Sequence, residues 1–326
     1  MHWLDRASAA ALRRLPPRKL VFRDGWGDPE RIDAYLGRVA TLPPIPDLPI
    51  TVAAERRRAD HIERTLTFES PAEDLPAAAR TARATVVTTN TEPDRLVILM
   101  SQWNDHDGGA RLRMAEMLLE VGIASVILEN PYYGERRPVP SDDQPISTVA
   151  DFGAMGRAAV LEGRVLARHF HDLGHRVGVS GYSMGGNLAA FVAAGVPFPV
   201  AAAPLAGSHS PGPVFLDGIL RSTIAWEALG GDHPDVAAAL RRYLSAATVL
   251  DHPPPDHTRA AILVAATKDG YVPTSAVQAV HRHWPGSRMD WVNGGHGWLL
   301  WRRKDRLVDA IAGAFDRLDA LEAGTT

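Results

Sequence analysis

Residues 176–194 constrain this chain more than any other segment. Residues 176–180 read as a short strand of small and β-branched residues. Gly181-Tyr182-Ser183-Met184-Gly185-Gly186 reads as a tight turn, and residues 187–194 read as a helix. Glycines two residues before and two residues after a serine fit a strained strand-to-helix turn that lifts the hydroxyl clear of a sheet. A side chain at Gly181 or Gly185 would then collide with the neighbouring strand or helix. The helix that follows points its free N–H groups, and its positive dipole end, at whatever sits beside that hydroxyl.

The rest of the chain supplies strands to surround this one. Apolar runs at 62–68, 84–89, 95–100, 124–128, 199–204, 260–266 and 288–292 alternate with helical patterns, the longest over 148–173. Alternation of this kind predicts a mostly parallel sheet with helices on both faces. Residues 1–58 read as an N-terminal extension packing on the core. Asp28-Pro29-Glu30 opens a helix in it, and the proline-rich 42–49 acts as a wrapping arm. Residues 59–326 then form one large domain, with an insertion at about 206–255 expected to be helical and lid-like.

The C-terminal third carries the partners that a reactive serine needs. The apolar run at 260–266 leads into Thr267-Lys268-Asp269-Gly270, and the strand at 288–292 leads into Asn293-Gly294-Gly295-His296-Gly297. A serine hydroxyl is a poor nucleophile until a base accepts its proton, and His296 is the expected base. Asp269 is expected to hold the imidazole tautomer and stabilise its cation, with Asp251 the lesser substitute. Acyl transfer also requires donors for a developing oxyanion. The N–H of Met184, directly after the serine, is one. The second is expected from the loop after 95–100, at Trp103, with Gln102 as second choice.

Four further motifs accompany this constellation. They are Glu129-Asn130-Pro131-Tyr132-Tyr133-Gly134, Lys268-Asp269-Gly270-Tyr271-Val272-Pro273, Arg23-Asp24-Gly25-Trp26-Gly27-Asp28-Pro29-Glu30 and Ser222-Thr223-Ile224-Ala225-Trp226-Glu227. With the serine turn and Gly294-Gly295-His296, they resemble the α/β-hydrolase-domain-containing protein eighteen family over nearly the whole chain. The resemblance implies an α/β-hydrolase fold and a serine hydrolase with its triad at Ser183, Asp269 and His296. Gln102-Trp103-Asn104 departs from the glycine-rich turn that many such hydrolases carry at that place, so Trp103 is expected to narrow the site or alter its substrate.

Composition narrows the classes of function. With 45% hydrophobic residues among 326, the chain has enough apolar material for one large core, and a net charge of -3 gives no footprint for nucleic acid. Without cysteine it has neither disulfides nor thiol catalysis. The weakly charged region 177–216 is broken by glycines and by Pro197, Pro199 and Pro204, which argues against a transmembrane segment. Residues 1–15 are an arginine-bearing amphipathic stretch without a signal-peptide core, so a cytoplasmic location is expected.

Other residues read more simply. His169, His171, Asp172 and His175 suit a surface helix end better than a metal site. Phe215 and Trp226 suit core packing better than an acyl pocket, and Trp298-Leu299-Leu300-Trp301 is expected to pack the last helix on the sheet. Glu129 is placed for a site-facing role, while Tyr132 and Tyr133 either shape the pocket or pack their loop.

The expectation is a hydrolase of a carboxylic ester, small or lipid-like, working through an acyl-enzyme with no cofactor. Thioester or peptide cleavage would use the same parts, and a catalytically silent binding protein on the same fold is the reading from another class. The sequence leaves the oligomeric state open. A metal-free mechanism predicts that EDTA leaves the hydrolysis rate of a soluble ester unchanged; a loss restored by a divalent cation would contradict it.

Overall fold

Leu96, Val97, Ile98 and Leu99 show why the middle of the chain is a sheet: successive residues of one strand are buried on opposite faces. In the computed structural model, which describes residues 1–139, 141 and 143–324, nine strands form one sheet. They are β1 (Thr51–Arg57), β2 (Ile62–Glu69), β3 (Thr81–Thr88), β4 (Arg95–Met100), β5 (Ile123–Leu128), β6 (Arg176–Tyr182), β7 (Ala201–Leu205), β8 (Ile262–Ala266) and β9 (Arg288–Val292). The order is β1-β2-β3-β5-β4-β6-β7-β8-β9. Pairings from β1 through to β5 are antiparallel, and all later ones are parallel.

Eleven α-helices accompany the sheet among the described residues. In chain order they are α1 (Trp3–Leu12), α2 (Pro29–Arg38), α3 (Gly109–Glu120), α4 (Val149–Asp172), α5 (Met184–Gly195), α6 (Pro211–Leu216), α7 (Trp226–Leu229), α8 (Pro234–Ala246), α9 (Thr274–His283), α10 (His296–Arg302) and α11 (Lys304–Ala323). One face of the sheet packs Leu96, Ile98, Leu263 and Ala265 against α4, α5 and α9, through residues such as Leu166, Leu188 and Val277. The other packs Val97, Leu99, Ile262 and Val264 against α3 and α11, through Leu118, Ile311 and Phe315. A parallel strand covered on both faces has no polar side to show, which is why these runs are continuously apolar.

Local sequence explains several boundaries. Asp28 caps α2, its Oδ1 accepting from Glu30 N–H at 2.9 Å, with Pro29 in the first turn as the sequence predicts. The helix α9 starts at Thr274, and Pro273 precedes it as a cap without a side-chain bond. The strand β1 has no counterpart in the sequence reading. It is an edge strand with every residue exposed, so it has no buried face to leave a pattern, and Glu55, Arg56 and Arg57 discourage further pairing. Residues 296–302 also differ from expectation, forming α10 with Leu299 buried and Trp301 69% exposed. Only part of that apolar run therefore packs inward. Between β7 and β8 lie α6, α7 and α8. The N-terminal segment joins them where Val21 bridges Ile224 in parallel. No helix among the described residues is long and apolar enough to cross a membrane.

A buried ion pair fastens the loop after β5 to α4. Arg136 and Glu162 are 1% and 0% exposed and meet at 2.6 Å. Arg136 also donates to the carbonyls of Ala79 at 2.6 Å and Glu129 at 2.7 Å, while Ser70 Oγ donates to Glu162 at 2.5 Å. Removing one partner leaves a desolvated charge behind. Glu162→Ala is therefore expected to cost about 3–5 kcal/mol of stability. Urea unfolding measures it, and a midpoint equal to that of the parent would refute the account.

Candidate active site

Ser183 occupies the single residue between β6 and α5, at φ 58° and ψ −115°. Positive φ is costly for a residue with a Cβ, so the surrounding structure must impose it. It does so with backbone bonds: Ser183 N–H donates to Leu205 C=O at 2.8 Å, and Ser183 C=O accepts from Asn187 N–H at 3.1 Å. Asn187 is fixed in turn by its Nδ2 donating to Ser208 C=O at 2.8 Å. The flanking glycines let backbones touch. A Cβ at Gly181 would lie 2.6 Å from the Gly185 carbonyl oxygen, and one at Gly185 would lie 2.4 Å from that of Met100.

Asp269 follows β8 on its loop, and His296 is the first residue of α10, after β9. The two side chains meet, with His296 Nδ1 2.7 Å from Asp269 Oδ2, and they are 10% and 3% exposed. The other carboxylate oxygen accepts from the N–H groups of Tyr271 and Val272, both at 2.8 Å. Such bonds fix the plane of the carboxylate. The rings of Tyr182 and Tyr271 each pack 4.9 Å from the imidazole. Burial pushes the Tyr182 hydroxyl well above the ordinary phenol range, so it remains a donor, and it donates to the His296 carbonyl at 2.7 Å. Asp5 of α1 is also completely buried between the Asp269 and His296 loops. No sequence signal marks it, because an aspartate in the first turn of a helix ordinarily serves that helix alone.

The loop from β4 to α3 forms the opposite wall. Trp103 is half-buried, its ring 5.9 Å from Phe152 and 5.5 Å from Phe215, the latter edge-on. Asn104 is at φ 58°; its N–H donates to Tyr133 Oη at 3.2 Å, and its Oδ1 accepts from Gln144 Nε2 at 3.2 Å. Asp105 turns inward to Arg111 at 2.5 Å, and Arg111 donates to Leu99 C=O at 2.9 Å and Leu128 C=O at 2.5 Å. Tyr133 is thus a brace behind this loop, while Tyr132 bonds Asp151 at 3.0 Å.

Ser183, His296, Gln102 and Trp103 line one cavity of about 290 Å³, together with Ser8, Leu12 and Leu15 from the N-terminal segment and Leu300 and Trp301 from α10. Behind Met184 is a smaller apolar cavity of about 60 Å³, lined by Phe152, Met155, Leu188 and Phe191 among others. The structure therefore brings together Ser183, Asp269, His296, Trp103 and Met184. It does not bring in several residues weighed from the sequence. Asp251 is exposed on a short 3-10 turn. Glu129 faces away from the Ser183 cavity and accepts from Arg136 N–H at 3.0 Å, its carboxyl pushed upward by burial. Trp226 donates to Arg221 C=O at 3.3 Å beneath the Arg221 guanidinium, 4.3 Å from the ring, while Phe215 packs behind Trp103. His171 stacks on Phe198 at 4.0 Å, and His175 Nδ1 lies 3.2 Å from Pro93 C=O.

With this geometry in hand, known proteins give it a context. The family model for "Alpha/beta hydrolase domain containing 18" matches residues 19–242 and 231–317. Among solved structures, acetyl xylan esterase 1 from Thermoanaerobacterium sp. JW/SL YS485 superposes with a TM-score of 0.60 at 16% identity, over 92% of this chain and 99% of that one. An acetyl xylan esterase from Paenibacillus sp. R4 gives 0.54 at 14%, over 92% and 98%. Est1E from Butyrivibrio proteoclasticus, solved with ferulic acid bound, gives 0.52 at 15%, over 74% and 96%. At such identities the likeness shows the fold, and that fold is the α/β-hydrolase fold.

The backbone crowding at the serine turn makes a direct prediction. Gly185→Ala places a methyl group against the Met100 carbonyl and is expected to cost about 1–3 kcal/mol, as overpacking does. Thermal unfolding measures the loss, and a melting temperature equal to that of the parent would show that the turn has room to spare.

Proposed function

The chain belongs to the alpha/beta hydrolase domain containing 18 family, and from that premise we propose that it is a serine hydrolase cleaving a carboxylic ester through an acyl-enzyme. The observation that carries the proposal is the 2.7 Å contact of Asp269 with His296, on the cavity that Ser183 also lines. With Nδ1 held by the carboxylate, Nε2 is the ring nitrogen left to exchange a proton with the serine. Ser183 Oγ attacks the ester carbon and passes its proton to His296. The resulting oxyanion is stabilised by the N–H of Met184, at the start of α5, and by a second donor from the β4–α3 loop. Asn104 N–H is committed to Tyr133, which favours Trp103, or Gln102, for that second role. Collapse of the tetrahedral intermediate breaks the ester bond, and His296 returns the proton to the departing alkoxide. Water then repeats the sequence on the acyl-enzyme and releases the acid.

Two features support a substrate with apolar character. Leu12, Leu15, Leu220, Leu300, Trp103 and Trp301 supply much of the cavity wall. The described residues between β7 and β8 contribute Leu220 and Thr223 to that wall, consistent with a lid-like insertion. Esters of small or lipid-like acids therefore suit the site best, with thioesters and amides requiring the same machinery.

Fluorophosphonate labelling with peptide mapping tests the nucleophile. Label is expected on Ser183 and absent in Ser183→Ala, with hydrolysis of a p-nitrophenyl ester falling to background. Asp269→Asn is expected to lower kcat about 10³–10⁴-fold by favouring the wrong imidazole tautomer. Ester hydrolysis that survives in Ser183→Ala would sink the proposal. Across an acyl panel, activity rising from acetyl to octanoyl supports the lipid-like substrate, and a maximum at acetyl opposes it.

A further inference from the structure

The N-terminal helix α1 lies outside the residues matched by the family model, which begin at 19, yet it reaches into the centre of the site. Its Asp5 is fully buried and each of its oxygens is occupied. Oδ2 accepts from the N–H of Gly270 and from the N–H of His296, both at 2.9 Å. Oδ1 accepts from Gly297 N–H at 3.2 Å. Gly270 is the neighbour of Asp269. One carboxylate therefore holds the loop of the acid and the loop of the base together. The helix start is itself tied to the acid loop, His2 N–H donating to Lys268 C=O at 2.9 Å.

The glycines of these loops record how close the approach is. A Cβ at Gly295 would lie 2.6 Å from Asp5 Oδ2 and 2.4 Å from His2 Cβ; one at Gly270 would lie 2.6 Å from Met1 Sδ and 3.1 Å from Asp5 Cβ. Glycine beside His296 thus admits the N-terminal helix, as well as giving the loop freedom. Bonds from backbone N–H groups to a buried carboxylate have direction. They fix the two loop backbones, and through them the separation of the Asp269 and His296 side chains.

We propose that Asp5 is a positioning residue of this active centre, setting the register between the Asp269 and His296 loops and thereby the rate of turnover. The proposal rests on the reading of Ser183, Asp269 and His296 as the catalytic triad. Misplacement of a base by an ångström is enough to cost about 100-fold in rate. The test is kcat per active site in the full-length protein, with sites counted by fluorophosphonate labelling taken to completion. Asp5→Ala is expected to keep a full count of sites, with kcat about 100-fold lower and KM within twofold of the parent. Asp5→Asn, isosteric and still an acceptor at one oxygen, is expected to recover part of that loss, at about tenfold below the parent. Arg6→Ala, on the exposed side of the same helix, is the control and should match the parent. Parent-like kcat per labelled site in Asp5→Asn and Asp5→Ala, whether or not the count of sites falls, would mean that α1 merely stabilises the fold, and would overturn the proposal. Ester hydrolysis persisting in Ser183→Ala would instead remove the triad reading on which it rests, so the two failures are distinguishable.

Discussion

Three stretches of backbone meet almost without intervening side chains where β4 and β6 end, and the rest of the site is arranged around that meeting. Gly181 lies against Gly185, and Gly185 against the Met100 carbonyl, at distances no Cβ would allow. The parallel pairing of Met100 with Gly181 brings the first two together, and the turn at Ser183 brings the third. Once these contacts form, Ser183 is left at φ 58° with its side chain toward the cavity, and Met184 becomes the first residue of α5. The strain at the serine is small beside the burial of the helix that follows it. Residues Leu188 to Ala193 of α5 are all buried, and their packing on the sheet holds the turn in place.

The same economy recurs in the loops that surround the serine. Each is long enough to wander, and each is held by a buried polar contact rather than by regular structure. Asp105 and Arg111 draw in the loop after β4, and the Tyr133 hydroxyl caps Asn104. The Asp269 loop curls over its own carboxylate, while the Tyr182 hydroxyl and the Asp5 carboxylate hold the His296 backbone. Buried polar groups that are fully paired specify one geometry, because every alternative leaves a desolvated donor or acceptor. This is the property that a proton-transfer site needs from its scaffold.

How much of this was legible in the sequence follows from what kind of signal each part leaves. Strands buried on both faces, such as 95–100 and 260–266, announce themselves as continuous apolar runs, and the serine turn announces itself by its glycines. Edge strand β1 leaves no trace because all of its residues face water. The helix α10 hid behind Gly294 and Gly295, whose missing side chains make room for the Trp298 ring and for Asp5 of α1 respectively. Tyr133 was visible as part of an unusual motif, but its service to Asn104 depends on two loops 29 residues apart meeting in space. Asp5 is the extreme case: its partners lie 265 to 292 residues away, and no local pattern reports such contacts.

The site therefore divides into two parts with different origins. Ser183, Asp269 and His296 stand just beyond the C-terminal ends of β6, β8 and β9, where the parallel part of the sheet dictates their placement. The cavity walls come from elsewhere: Leu12 and Leu15 from the N-terminal segment, Leu220 and Thr223 from the segment between β7 and β8, Leu300 and Trp301 from α10. On the proposed reading, the first part sets what bond is broken and the second sets which molecule is admitted. A change in the walls alters apolar area and shape without disturbing any hydrogen bond of the first part, so selectivity is free to diverge while the chemistry stays fixed. Asp5 is where that separation ends. It sits on the same helix as the wall residues Ser8 and Leu12 but bonds the backbones that carry Asp269 and His296. A displacement of α1 large enough to reshape the cavity would therefore reach the Asp269–His296 pair as well.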